Sequence, residues 1–224
     1  MPIRELTNFE IIIRIALSLV LGGALGIERG LKNRPAGLRT YMLVCLGACV
    51  VMMTNQYSCQ AFGVGDPVRM GSQVVSGIGF LGAGTIVVTQ HNQIKGLTTA
   101  AGLWAAACIG LAIGLGLYEV ALLSGGTVFI VLTLLHTLDY RMRQHAKVMD
   151  AYIELKEKSS IGSFLQYMRQ NDLDISNIQM ETDVISESGT ICFIVTLRAH
   201  KNCNRRKMLD LIRSFEDTQY FEEL

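Results

Sequence analysis

The sequence predicts a membrane all-α bundle of about five transmembrane helices, followed by a C-terminal α+β domain of ferredoxin-like βαββαβ order. Three observations predict it. Half of the 224 residues are apolar and only 17% are charged, against about 25% in an ordinary soluble domain. The apolar excess lies before residue 140 and most of the charge after it. At Lys147 long apolar runs give way to short alternating and amphipathic segments.

A spanning helix needs roughly 17–25 mostly apolar residues. Stretches 9–27, 40–56, 67–88, 98–118 and 120–138 meet this or nearly so, with Glu119 at the junction of the last two. The first stretch has no basic leader beyond Arg4 and no small-residue cleavage site after it, so it reads as a retained span and not a signal peptide. Basic residues near helix ends stay in the cytoplasm. Arg29, Lys32, Arg34 and Arg39 follow the first stretch, Lys95 the third, and Arg141, Arg143 and Lys147 the fifth, while none lies between Tyr57 and Pro67. This alternation predicts an outer N-terminus and a cytoplasmic C-terminus. The division is then 1–140 in the membrane, a basic linker over 141–147, and a cytoplasmic domain over 148–224.

Small residues recur in the apolar stretches. Gly22 and Gly26 form one G-x-x-x-G and Gly110 and Gly114 another, and Gly77, Gly79, Gly82 and Gly84 crowd the third stretch. Hydrophobic drive between helices is weak in lipid, so close backbone contact must supply association. These eight glycines are therefore assigned to helix packing. A functional break of the third helix is the alternative for its cluster. None of the six cysteines forms C-x-x-C, and Cys45 and Cys49 at i, i+4 read as small packing residues.

In the last third, 148–155 alternates as a strand, 161–171 has helical spacing, and 174–184 alternates with some irregularity. Glu187-Ser188-Gly189 is a turn signal before the β-rich 190–199. Residues 204–215 form a helix capped by Asn202 or Asn204, and 220–224 a last strand. This order is βαββαβ.

Charges inside spans cost roughly 2.5–3.5 kcal/mol at the helix centre and mark sites by default. Glu10 and Arg14 lie one turn apart, as a local ion pair or with Arg14 snorkelling. Asp66-Pro67 suits the N-cap and first position of the third helix, placing Arg69 on its first turn. Asp66, Arg69 and Gln73 are either a capped start or a polar site. Glu28-Arg29, Arg39-Thr40 and the Thr98-Thr99 pair either line a cytoplasmic mouth or act as topogenic charges and caps. His136 reads as a packed or interfacial histidine.

Glu28-Arg29 with the Arg34-Pro35-Ala36-Gly37-Leu38-Arg39-Thr40 run resembles the first signature of the MgtC/SapB family of bacterial inner-membrane proteins. Asp66-Pro67-x-Arg69 with the 73–84 run resembles its central signature, and the 96–104 run its third, ending at Trp104. The tail resembles the ACT-like domain carried by some members. Many members have His after the Arg-Thr pair, where this chain has Tyr41. A role needing imidazole is lost there, although a hydrogen-bonding role survives in a phenol. The resemblance implies a multi-pass inner-membrane protein linked to magnesium limitation, stress and virulence. It implies a non-enzymatic modulator of other membrane complexes, the ATP synthase among them. Its functional set is Glu28, Arg39, Asp66, Arg69, Thr98 and Trp104.

Two functions compete. A modulator uses helix contacts with other integral membrane proteins in the bilayer, with a tail that pairs as a homodimer or takes a small molecule. A magnesium transporter needs oxygen ligands along a path, yet Glu28, Asp66, Glu119 and Asp139 all fall near span ends. The metal assignment therefore stays open, and no cofactor is expected, Mg²⁺ being the one candidate. A hydrolase built on Ser76 and His136 lacks the G-x-S-x-G elbow. A net charge of +1 gives no footprint for nucleic acid.

Overall fold

The computed structural model describes residues 6–63, 65–89, 93–135, 138, 147–157, 159–180, 190–199 and 205–224. The chain forms two compact units, one of residues 1–89 and 94–136 and one of residues 90–93 and 137–224.

In the first unit, α1 (Asn8–Leu31) starts where the Thr7 hydroxyl oxygen accepts the Glu10 N–H at 3.3 Å. Its buried stripe, Arg14, Ser18, Gly22, Leu25, Gly26 and Arg29, follows the helical repeat. Helix α2 (Leu38–Phe62) ends at Gly63, whose φ of +63° suits glycine. Helix α4 (Leu97–Gly114) is apolar on every side, as a core helix of a bundle is. Its reversal into α5 (Tyr118–Ile130) passes through Gly116 at φ +76°, so Glu119 lies in the first turn of α5 and not at the hinge. The last turn, Val131–Leu135, is a π-helix.

The third apolar stretch differs from the sequence expectation. Helix α3 spans only Arg69–Ala83. Asp66 is not its N-cap: Oδ1 accepts the N–H of Val68 at 3.0 Å, an Asx turn that holds Pro67 and Val68 outside the helix. At the far end the β-branched run Thr85-Ile86-Val87-Val88 prefers extended backbone. It becomes β1 (Val87–Val88), paired with β2 (Ile94–Lys95). Fifteen residues rise about 22 Å, short of the ~30 Å hydrocarbon core. Among the described residues, four helical segments are long and apolar enough to cross a membrane: Asn8–Leu31, Leu38–Phe62, Leu97–Gly114 and Tyr118–Leu135.

Glycines set the close contacts. A Cβ on Gly22 would meet Cys45 Cβ at 2.9 Å, and one on Gly26 would meet Leu38 Cα at 2.6 Å. On the other side of α2, a Cβ on Gly114 would meet the Cys49 carbonyl oxygen at 2.6 Å, and one on Gly110 would overlap the Cys45 carbonyl oxygen. Helix α2 is thus gripped by one G-x-x-x-G from α1 and another from α4. Gly82 and Gly84 make ordinary contacts, whereas Gly77 and Gly79 face open space, contrary to the packing role assigned to them.

The second unit contains β3 (Val148–Leu155), α6 (Ser160–Gln170), β4 (Leu173–Met180), β5 (Ile191–Ala199), α7 (Arg205–Ser214) and β6 (Thr218–Glu223). The sheet order is β4-β5-β3-β6, antiparallel throughout, which is the ferredoxin-like arrangement. Ile153 faces Phe193 on one side and Phe221 on the other. The irregularity in β4 falls between Ser176 and Gln179, where Asn177 has φ +51°. Phe164 packs edge-on against Phe193 and Phe215, with ring centroids 5.8 and 5.3 Å away. The turn at Glu187-Ser188-Gly189, the caps Asn202 and Asn204, His136, Asp139 and the linker positions Arg141 and Arg143 lie outside the described residues.

Candidate functional site in the helical bundle

Two layers of charge lie inside the bundle, about 21 Å apart along α1 at 1.5 Å per residue. The first centres on Arg14, which is 0% exposed. Its guanidinium donates to Gln56 Oε1 at 2.8 Å and to the Gly114 carbonyl at 2.7 Å, and faces the Glu10 carboxylate at 3.6 Å. Tyr118 donates its phenolic hydrogen to the same carboxylate. The C-terminal carbonyls of a helix carry partial negative charge, so Gly114 at the end of α4 suits a cation. One arginine thereby ties α1, α2, α4 and α5 together.

The second layer centres on Glu28, 7% exposed. Its carboxylate pairs with Lys32 and lies 3.7 Å from Arg29. Arg29 donates to Thr99 Oγ1 at 3.3 Å. Lys32 also donates to the Leu132 carbonyl at 3.2 Å, within the π turn; such turns free carbonyls from the regular ladder and gather at functional sites. Tyr41 is fully buried beside Arg29. Its hydroxyl sits where a Gly102 side chain would be, without a hydrogen bond of full geometry among the described residues.

Near the Arg14 end, Asn55 donates its amide to the backbone carbonyls of Asp66 and Pro67, which fixes the entry to α3. Helix α3 then runs antiparallel to α2 and reaches α4 at Gly82 and Ala100. Glu28, Arg29, Lys32, Arg39 and Lys95 therefore gather at one end of the bundle, as the alternation of basic loops requires.

The MgtC family model matches residues 15–141, more than half of the chain. The chain belongs to the MgtC family. It is 41% identical over 139 residues to a protein of Escherichia coli K12 named "Putative magnesium transporter YhiD", covering 59% of this chain and 64% of that one. SapB of Bacillus subtilis is 29% identical over 201 residues, covering 86% of each. MgtC of Brucella abortus is 44% identical over 117 residues, 52% of this chain and 47% of that one. The chain thus spans somewhat under two thirds of YhiD's length. No solved structure matches it.

Of the six residues assigned through the MgtC resemblance, only Glu28 lies inside the bundle. Arg39, Asp66, Arg69, Thr98 and Trp104 are exposed. Asp66 and Arg69 adjoin at the start of α3, where the Arg69 N–H donates to the Asp66 carbonyl at 3.3 Å. Thr99, one residue beyond Thr98, is the threonine that meets the charged layer. Sequence reasoning left Arg29 and Thr99 between a cytoplasmic mouth and topogenic charges or caps, counted Lys32 only as a topogenic charge, and left Gln56 and Tyr118 without a role. The signal for the first layer was Glu10 and Arg14 one turn apart in an apolar run, but the acceptors lie 42 and 100 residues away.

Proposed function

We propose that this multi-pass MgtC-family protein acts in adaptation to magnesium limitation as a non-enzymatic modulator of other membrane complexes, the ATP synthase being one candidate. The observation that carries this reading is the neutralisation of the carboxylates within the bundle. Glu28 is taken up by Lys32 and Arg29, and Glu10 by Arg14 and Tyr118. Magnesium retains its waters and asks for oxygen ligands in octahedral array. Among the described residues no three carboxylate, histidine or cysteine side chains gather in a group that could hold a metal ion. The glycine seams on both faces of α2 bring backbones together where a path would need room. The end of the bundle with Arg29, Lys32 and Arg39 faces the cytoplasm on this reading, together with the C-terminal domain. The domain's β4 edge, with Ile178 and Met180 exposed, is suited to pairing with a second copy.

The name carried by YhiD favours a second reading, transport of magnesium by this chain. Flux of Mg²⁺ into liposomes holding the purified protein separates the two. The expected result is flux equal to that of an Asp66→Ala/Arg69→Ala control. Flux well above the control would replace modulation by transport. In cells, each single variant is expected to insert at normal abundance and to lose growth at low magnesium. Wild-type growth of both would remove Asp66 and Arg69 from the functional set.

A further inference from the structure

The bundle carries a groove of about 470 Å³ between α2 and α3, floored by Ala48, Ile78 and Ala107 and walled by Leu43, Val44, Val74 and Leu81. All of these side chains are apolar. At one end the lining changes to Arg39 and Thr40. Arg39 is exposed and makes no hydrogen bond or ion pair among the described residues. It stands on the first turn of α2, whose N-cap Gly37 supplies no side-chain acceptor. The exposed N–H groups and dipole of that turn add positive potential. No acidic residue lines the groove, and Glu28, the carboxylate nearest along the chain, is buried against Lys32 and Arg29. An apolar trough with a single unneutralised cation and a hydroxyl at its mouth has the polarity of one amphiphile lying lengthwise.

We propose that this groove is a binding site for an anionic phospholipid. An acyl chain lies over Ala48, Ile78 and Ala107, and the phosphate is held by the Arg39 guanidinium, the Thr40 hydroxyl and the start of α2. Basic pockets between transmembrane helices take anionic headgroups by this charge match. The shape explains why Gly47 sits on the groove wall with nothing within 4 Å of the point where a Cβ would stand: the space beside it belongs to the lipid. The site requires only that the Arg39 end of α2 reaches a leaflet containing anionic lipid. It therefore stands whether the protein modulates or transports.

The chain has one tryptophan, Trp104, half-exposed on α4 one turn before Ala107. It does not line the groove but stands one turn from the floor residue Ala107, its fluorescence within reach of a brominated acyl chain lying there. The full-length protein is reconstituted in phosphatidylcholine vesicles containing increasing fractions of brominated phosphatidylglycerol or brominated phosphatidylcholine. Half-maximal quenching is expected at about fivefold lower fraction for the anionic lipid, the factor that one cation at a membrane surface supplies. Arg39→Gln removes that preference, and Gly47→Leu, which fills the trough, weakens quenching by the anionic lipid. Lys95→Gln, a cation at the same end but outside the groove, keeps the preference. Equal quenching by both lipids in the wild type overturns the proposal, as does a loss in Lys95→Gln equal to that in Arg39→Gln. Displacement by millimolar inorganic phosphate would make this a free-phosphate site. Failure of either lipid to quench would leave the groove without lipid. Each of these last two results also overturns it.

Discussion

The two units reach dense packing by opposite means. In the bundle the close contacts on both sides of α2 are made by glycine: Gly22 and Gly26 on one side, Gly110 and Gly114 on the other. In the α+β unit the core is filled by large side chains, Phe164, Phe193, Met168 and Leu197 among them. The difference follows from solvent. Water rewards removal of apolar area at about 25 cal/mol per Å², so a big ring is worth burying. Lipid gives little such reward, and helices must come close enough for dispersion and backbone polarity to hold them. A glycine is therefore to the bundle what a phenylalanine is to the sheet.

That contrast is breakable. The largest effect is expected from Gly110→Leu, whose side chain would occupy the space of the Cys45 carbonyl: the bundle should fail to accumulate as folded protein, read by size-exclusion profile in detergent. Next come two losses of comparable size. Arg14→Ala strips Glu10 of its buried partner and should cost about 3–5 kcal/mol, measured by denaturant titration of the solubilised protein. Phe164→Ala should cost about 3–5 kcal/mol, but confined to residues 148–224, so that limited proteolysis of the full chain attacks that unit first. Asp66→Ala removes the Asx turn before α3 and should cost about 1 kcal/mol, the scale of a lost local cap. Smallest, and opposite in sign, Gly77→Ala on the open face of α3 should gain about 0.5–1 kcal/mol of helix stability. A loss there as large as at Gly110 would erase the distinction between the α2 seams and α3.

Much of this was legible from local pattern. The run Val148–Leu155 alternates only loosely, yet it is β-rich enough to read as a strand, and the βαββαβ order follows from such segments because each is decided by neighbours two to four residues away. Pairing order could then be inferred from a known arrangement. The Arg14 layer was not legible in the same way. Its acceptors, Gln56 and the Gly114 carbonyl, belong to other helices, and a one-dimensional pattern carries no azimuth between helices. The same blindness separates Thr98 from Thr99: adjacent in sequence, they point about 100° apart on a helix of 3.6 residues per turn, one outward and one toward Arg29. The shortened α3 had a visible cause, the β-branched residues from Thr85 to Val88, masked by their apolarity.

The Arg14 network also has a consequence in time. At roughly 5–20 residues per second, the 100 residues that separate Arg14 from Gly114 take about 5–20 s to synthesise. Through that interval the hairpin of α1 and α2 can already close on Gly22 and Gly26, and Gln56 can already reach the guanidinium. The arginine still lacks the Gly114 carbonyl, and Glu10 still lacks Tyr118. Biogenesis therefore passes through a half-built bundle with an under-coordinated cation in or near lipid, and the arrival of the turn between α4 and α5 is the step that closes it.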